Sequence, residues 1–180
     1  MREFLVLGAV LVMGLLLAGQ SFAETHRVSD LATLQKLCAE QANPGDVIEL
    51  QPGTYDLATP RISVLRSGEP GRPITIRGLV KDGVRPVIDA SKVNVKRGIF
   101  RTEQPTHDVV FEDLDLCNAA GGRFADQEDF GDNAGAIYFQ GKNLTARRIH
   151  THHNENGWFA THEADNVRPA TATAETCCRS

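Results

Sequence analysis

The chain has 180 residues, with 23 acidic and 19 basic side chains, a formal charge of −4 and a pI near 5.8. That length is one domain's worth, enough to bury a core. The mildly acidic balance excludes the basic footprint of a nucleic-acid binder.

Residues 1–23 read MREFLVLGAVLVMGLLLAGQSFA. Arg2, the apolar run Phe4–Ala18 and the small residues at Ser21 and Ala23 predict a signal peptide cleaved before Glu24. The run is shorter than the roughly 20 residues a membrane span needs, so no stable anchor is expected to remain. No Cys follows the cleavage point for lipid attachment. Export permits disulfides, but Cys38, Cys117, Cys177 and Cys178 match no zinc spacing. Cys38 and Cys117 read as small buried apolar residues of a helix and a strand.

Asp30 is placed to cap a helix running to about Ala42, with Leu31, Leu34, Leu37 and Cys38 on one face. Asn43-Pro44-Gly45 ends it. Strands are then predicted at Val47–Leu50, Pro73–Arg77, Pro86–Asp89, Gly98–Arg101, His107–Asn118, Gly135–Gln140, Asn143–Asn154 and Gly157–Thr161. The corners NPGD and QPGT bracket the short run VIEL, a spacing too tight for the strand–helix alternation of a doubly wound sheet.

The later strands read as a repeat. Gly135 and Gly157 lie 22 residues apart, and Asn143 and Asn166 lie 23 apart. A period near 22 made of short strands and polar corners points to a β-solenoid, in which each coil buries its inner side chains by stacking on the next. Asn118 and Asn154 fall at matching ends of their units, where an amide could donate along the stack. The helix would cover the open edge of the first coil.

The order LQKLCAEQANPGDVIELQPGTYDL, then ISVLRSGEPGRPITIRGL, then PVIDAS resembles the N-terminal part of secreted right-handed parallel β-helix proteins of the pectate-lyase-like fold. It is nearest in style to polysaccharide lyases of the alginate lyase and chondroitinase B type. IHTHHNENGWF resembles the corner-plus-strand units of β-helix repeat proteins. The resemblance covers about Val28–Val167 and rests on cap and corner residues, which specify fold better than activity. It implies an all-β right-handed parallel β-helix with an N-terminal capping helix over residues 24–167. It implies a secreted or periplasmic protein that acts on or binds an acidic polysaccharide, either as part of a lyase or as a non-catalytic glycan-binding or adhesin-like β-helix. With aromatic residues at 6% of the chain, a charged glycan fits better than a cellulose-like one. After Val167 comes RPATATAETCCRS, which lacks large apolar residues. Residues 168–180 are therefore expected to be irregular, either because truncation or a frameshift cuts the coil series short or because they form a disordered tail.

β-Elimination on a uronate needs a cation or arginine on the carboxylate and a base for the C5 proton. No lyase motif maps onto numbered positions here, so candidates come from residue type alone. His150 and His152 point to one side of a strand and could bind a transition metal or act as a base, with His153 and His162 nearby but no evident third ligand. Arg148 joins them as a catalytic candidate. Lys142 and Arg147 are candidates for gripping a polyuronate. Asp126, Glu128, Asp129 and Asp132, in a loop inserted between repeats, offer hard oxygen ligands for calcium. Asn143-Leu144-Thr145 matches a glycosylation sequon.

Overall fold

A computed structural model describes residues 22–121, 134–170 and 173–176. Helix α1 (Leu31–Lys36) starts at the expected cap: the Asp30 carboxylate accepts from the Thr33 N–H at 2.7 Å and the Thr33 hydroxyl at 2.9 Å. It widens into a π turn over Leu37–Gln41 and ends at Ala42. Leu34, Leu37 and Cys38 are buried. The following chain answers its last carbonyls: Cys38 O accepts from the Leu65 and Arg66 N–H groups, and Ala42 O from Arg66 Nε.

The NPGD corner then turns the chain into sheet. Gly45 adopts φ +93°, which favours a residue without a Cβ. Asp46 is buried, and its carboxylate accepts from the N–H of Asn43 at 2.8 Å and of Glu24 at 2.9 Å, with His26 Nε2 at 3.2 Å. Burial alone would raise this carboxyl; the two backbone donors and His26 outweigh it and hold it below the usual value.

The strands are β1 (Thr25–Val28), β2 (Val47–Leu50), β3 (Thr54–Asp56), β4 (Ile62–Val64), β5 (Ile74–Gly78), β6 (Val87–Asp89), β7 (Gly98–Thr102) and β8 (His107–Glu112). Then follow β9 (Asp115–Cys117), β10 (Gly135–Arg147), β11 (His150–Asn154), β12 (Asn156–Ala170) and β13 (Thr173–Thr176). Every named pair is parallel. They sort into three ladders. The first face holds β1, β2, β5, β8 and the C-terminal half of β10. The second holds β3, β6, β9, β11 and β13. The third holds β4, β7 and the N-terminal half of β10. From β2 onward the chain visits first, second and third face in turn.

The first and third faces form one curled sheet because β10 belongs to both, and β12 runs beside β10. The bend falls at Gly141, with φ +116°, where a Cβ would lie 2.0 Å from the Thr106 carbonyl oxygen.

Inside, Ile48, Ile76, Phe111 and Ala146 form one column on the first face, all fully buried. Phe111 also meets Phe100 of the third face, ring centres 5.3 Å apart, and Phe139 at 6.1 Å, edge to face.

Three expectations need correction. The single strands read at His107–Asn118 and Asn143–Asn154 are each broken by a left-handed residue, Asp113 (φ +57°) and Arg148 (φ +54°). Alternating polarity continues across such a corner, so periodicity alone does not reveal it. The spacing of partnered residues is not uniform: Val47 and Thr75 lie 28 apart, and Thr75 and Val110 as well as Val110 and Thr145 lie 35 apart, whereas Thr25 and Val47, at 22, and Leu144 and Val167, at 23, keep to the expected period. The stretch expected to be irregular from residue 168 carries the end of β12 and the strand β13, which pairs with β11.

Candidate functional site

Each outer face carries its own chemistry. On the first face, register places Arg27, Glu49, Arg77, Glu112 and Arg147 in one column of alternating charge. Glu49, nearly buried, takes Arg77 Nη2 at 2.6 Å and Arg27 Nε at 3.5 Å. Glu112 takes Arg147 Nε and, at 3.1 Å, Arg148 Nη2. Arg148 also forks onto Asp113, Nε to Oδ1 at 2.7 Å and Nη2 to Oδ2 at 2.6 Å. This fork, more than any other influence, lowers the Asp113 carboxyl and raises the Arg148 guanidinium. The charge of both expected arginines is thus spent within the wall. Lys142 is exposed, paired in register between His107 and Asp165.

Beside this column lies an open groove of about 320 Å³, lined in part by Asp108, Asn143, Thr145, Asn166 and Arg168. Asp108, Asn143 and Asn166 all adopt left-handed backbone, with φ +53°, +52° and +53°. Asn166 Nδ2 donates to Asn143 Oδ1 at 2.7 Å, and Asn143 Nδ2 to Asp108 Oδ1 at 3.4 Å, so the sequon asparagine serves a stacked corner.

On the third face, Ser63, Arg101, Tyr138 and Phe159 share an outward column. Arg97 donates from Nη1 to the Tyr138 hydroxyl at 2.8 Å. The Arg97 and Arg101 guanidinium carbons lie 5.4 and 5.8 Å from the Tyr138 ring centre. Phe159, part-exposed, leans on Tyr138 with ring centres 6.2 Å apart. Arg101 Nε is buried with no hydrogen bond, its nearest carboxylate being Glu103 at 3.4 Å. Sequence reading missed this cluster because only the strand register sets Arg101 beside Tyr138.

On the second face, β9 and β11 bring Asp115, His150 and His152 together. His150 Nδ1 lies 2.9 Å from Asp115 Oδ2, and His152 Nε2 lies 3.0 Å from Asp115 Oδ1. The two imidazole centres are 4.9 Å apart and their planes 32° from parallel. His152 Nδ1 meets His153 Nδ1 at 2.6 Å. Cys117 pairs in register with His152; burial, then Asp89 and Asp115, push its thiol up to about 12. That keeps it protonated and unreactive.

The structure thus brings His150 and His152 together on one side of β11 and sets Asp115 beside them, a third donor that sequence reading lacked. Asp115 precedes His150 by 35 residues, as Glu112 precedes Arg147 and Asp113 precedes Arg148, a register that the residue pattern alone did not supply. Matching Asn118 to Asn154 slipped that alignment by one. In the structure the left-handed corner at Asn118 corresponds to His153, with φ +61° and +55°. Both amides still reach the neighbouring strand: Asn154 donates to Leu116 O at 2.9 Å, and Asn118 to Asp89 Oδ1 at 2.9 Å. The calcium candidates Asp126, Glu128, Asp129 and Asp132 lie outside the described residues, as do the predicted signal peptide's residues 1–21 and the His162 side chain. Among the described residues no helix is long and apolar enough to cross a membrane.

Neither a known family model nor a curated protein sequence matches the chain. Among solved structures, it is similar to an alginate lyase from Paenibacillus sp. str. FPU-7, with TM-score 0.53 and 16% identity over 84% of this chain and 58% of that one. A rhamnogalacturonan lyase is matched more loosely, with TM-score 0.46 and 13% identity over 84% of this chain and 51% of that one. The chain thus spans little more than half the length of either. At such identity the first likeness establishes fold: all-β, built of parallel strands in a curled sheet, as in a polysaccharide lyase.

Proposed function

We propose that the chain is an exported right-handed parallel β-helix that binds an acidic polysaccharide on its third face. The observation that carries the reading is the pair Arg97 and Arg101 bracketing Tyr138, with Arg101 Nε buried and lacking a hydrogen bond. A uronate carboxylate is a natural partner for guanidinium groups; at Arg101 it would compete with Glu103, 3.4 Å from Nε, and Phe159 offers a part-exposed ring beside Tyr138. The similarity to an alginate lyase supports the same substrate class. Lys142, exposed on the first face, would add a cation for a neighbouring uronate. Calcium held by Asp126, Glu128, Asp129 and Asp132, in the segment leading into β10, would neutralise further carboxylates.

Binding, rather than bond cleavage, is the share the described residues support. Arg147 and Arg148 are tied to Glu112 and Asp113, and Asp108 in the groove is engaged with His107 and Asn143. Lyase activity would need a free base beside the bound uronate.

Titrating the purified chain with alginate by calorimetry at low salt tests this, with a neutral glucan as control. Alginate is expected to bind and the glucan not, with Arg97→Ala weakening affinity about tenfold at an unchanged circular dichroism spectrum. Absence of alginate binding, or equal binding by the variant, would sink the proposal. Ultraviolet absorbance of unsaturated uronate in the same cell reports cleavage directly.

A further inference from the structure

We infer that Asp115, His150 and His152 form a binding site for a first-row divalent transition metal of the zinc class, independent of any glycan site. Three donors of suitable type meet on the outward side of the second face, one atom from each lying within 4.8 Å of the others. Two imidazole nitrogens and one carboxylate oxygen form a borderline-soft set that selects zinc-like ions over calcium, which requires six or more oxygens.

Four observations separate this cluster from an ordinary surface network. First, Asp115 Oδ1 is buried yet accepts no hydrogen bond. Its near neighbour is His152 Nε2, at 3.0 Å. A buried carboxylate oxygen with an unused lone pair is costly, and a metal ion would use it. Second, the spacing is within reach. Asp115 turns Oδ2 to His150 Nδ1 at 2.9 Å and Oδ1 to His152 Nε2 at 3.0 Å. Ligands about 2.0–2.1 Å from a tetrahedral ion stand about 3.3 Å from each other, so side-chain rotation has to bring one carboxylate oxygen and the two ring nitrogens, now within 4.8 Å of one another, onto a common centre. Third, the support is rigid. Asp115 and His150 are register partners on adjacent parallel strands, and His152 follows two residues on, the spacing that puts both rings on one side. Fourth, His152 already has an outer partner. With Nε2 on the metal, its Nδ1–H would donate to His153 Nδ1, which sits at 2.6 Å.

The protein supplies three ligands. The histidine side chains are 34% and 23% exposed, so the fourth position opens to solvent. It would take water or an anionic oxygen, the pattern of a reactive rather than a structural zinc site.

The test uses the whole purified chain, stripped with a chelator and titrated with Zn²⁺ against a chromophoric competitor. One equivalent should bind at micromolar concentration or tighter, and Ca²⁺ in excess should not displace it. His150→Gln and His152→Gln, which keep side-chain volume, should each weaken binding by at least the about 10–100-fold that loss of an outer-shell partner costs. Because either variant could fold poorly, Co²⁺ is added to the unmodified chain as well. A tetrahedral nitrogen–oxygen site gives strong visible absorption, whereas ions bound loosely by carboxylates give the weak bands of six-coordination. No stoichiometric Zn²⁺ binding, binding that survives both substitutions in folded protein, or a six-coordinate Co²⁺ spectrum would each overturn the inference.

Discussion

The first and second outer faces are built from the same two stretches of chain by the same rule, and they end with different chemistry. On both, an acidic residue of the β8–β9 region lies beside a basic residue 35 positions later: Glu112 beside Arg147, Asp113 beside Arg148, and Asp115 beside His150. On the first face the base is arginine. Its planar fork saturates the carboxylate, and its charge cannot be removed near neutral pH. On the second face the base is histidine, which can give up its proton and present a lone pair. One substitution of base type turns a closed structural pair into an open set of ligands.

The inner sides differ as well. Behind the first face, Phe111 packs on Phe100 and Phe139. Behind the second, the inward column runs Ile88, Leu116 and Thr151, and Asn154 closes its end, donating to Leu116 O at 2.9 Å and accepting from the Ala119 N–H at 2.7 Å. One side is held by aromatic shape, the other by hydrogen bonds. Phe111→Ala should therefore be the most damaging single change, costing about 3–5 kcal/mol by the cavity it leaves, measurable as a lowered urea midpoint. Asn154→Ala should cost about 2–4 kcal/mol, because it strands one buried carbonyl and one buried N–H. If Asn154→Leu, which refills the volume, recovers most of that loss, the second side is held by packing and the contrast fails.

Much of this was legible in the sequence. The Asp30 cap, the buried face of Leu34, Leu37 and Cys38, and the strand Val47–Leu50 all lie where residue type placed them. They depend on interactions within a few residues, which local pattern reports. The strands β1, β3, β4 and β13 did not register; all are three or four residues long and lack a pattern of their own. Their order comes from parallel neighbours 20 or more residues away. The histidine pair was visible as an i, i+2 motif, but Asp115 and the Arg97–Tyr138–Arg101 cluster are set by cross-strand register. A one-residue slip in that register moves every side chain to the opposite face.

Acid should separate the faces next, with a smaller effect. Asp113 on the first face, and Asp46 at the entry corner, have folded-state values below their usual one. Each therefore contributes stability that is complete above the unfolded value of about 3.9 and is lost as pH falls through the lower folded value. Denaturant midpoints should drop as pH falls from about 5 to below 3, and Asp113→Asn should flatten part of that slope. If Asp113→Asn leaves the acid limb unchanged, the Arg148 fork contributes nothing measurable.

The smallest expected effect concerns the left-handed corners. Arg148 and His153 adopt φ +54° and +55°, one at the end of each face's strand. A residue with a Cβ is strained there by about 1 kcal/mol, which glycine avoids, although glycine also gains entropy when unfolded. Arg148→Gly should thus be more stable than Arg148→Ala by up to about 1 kcal/mol, while both stay below the parent because they lose the Asp113 fork. At His153 no carboxylate fork is given up, so His153→Gly should match or slightly exceed the parent in thermal denaturation, with His153→Ala below both. The same φ would then have opposite consequences on the two faces. The arginine holds a strained corner in exchange for an ion pair, and the histidine holds one in exchange for its contact with His152.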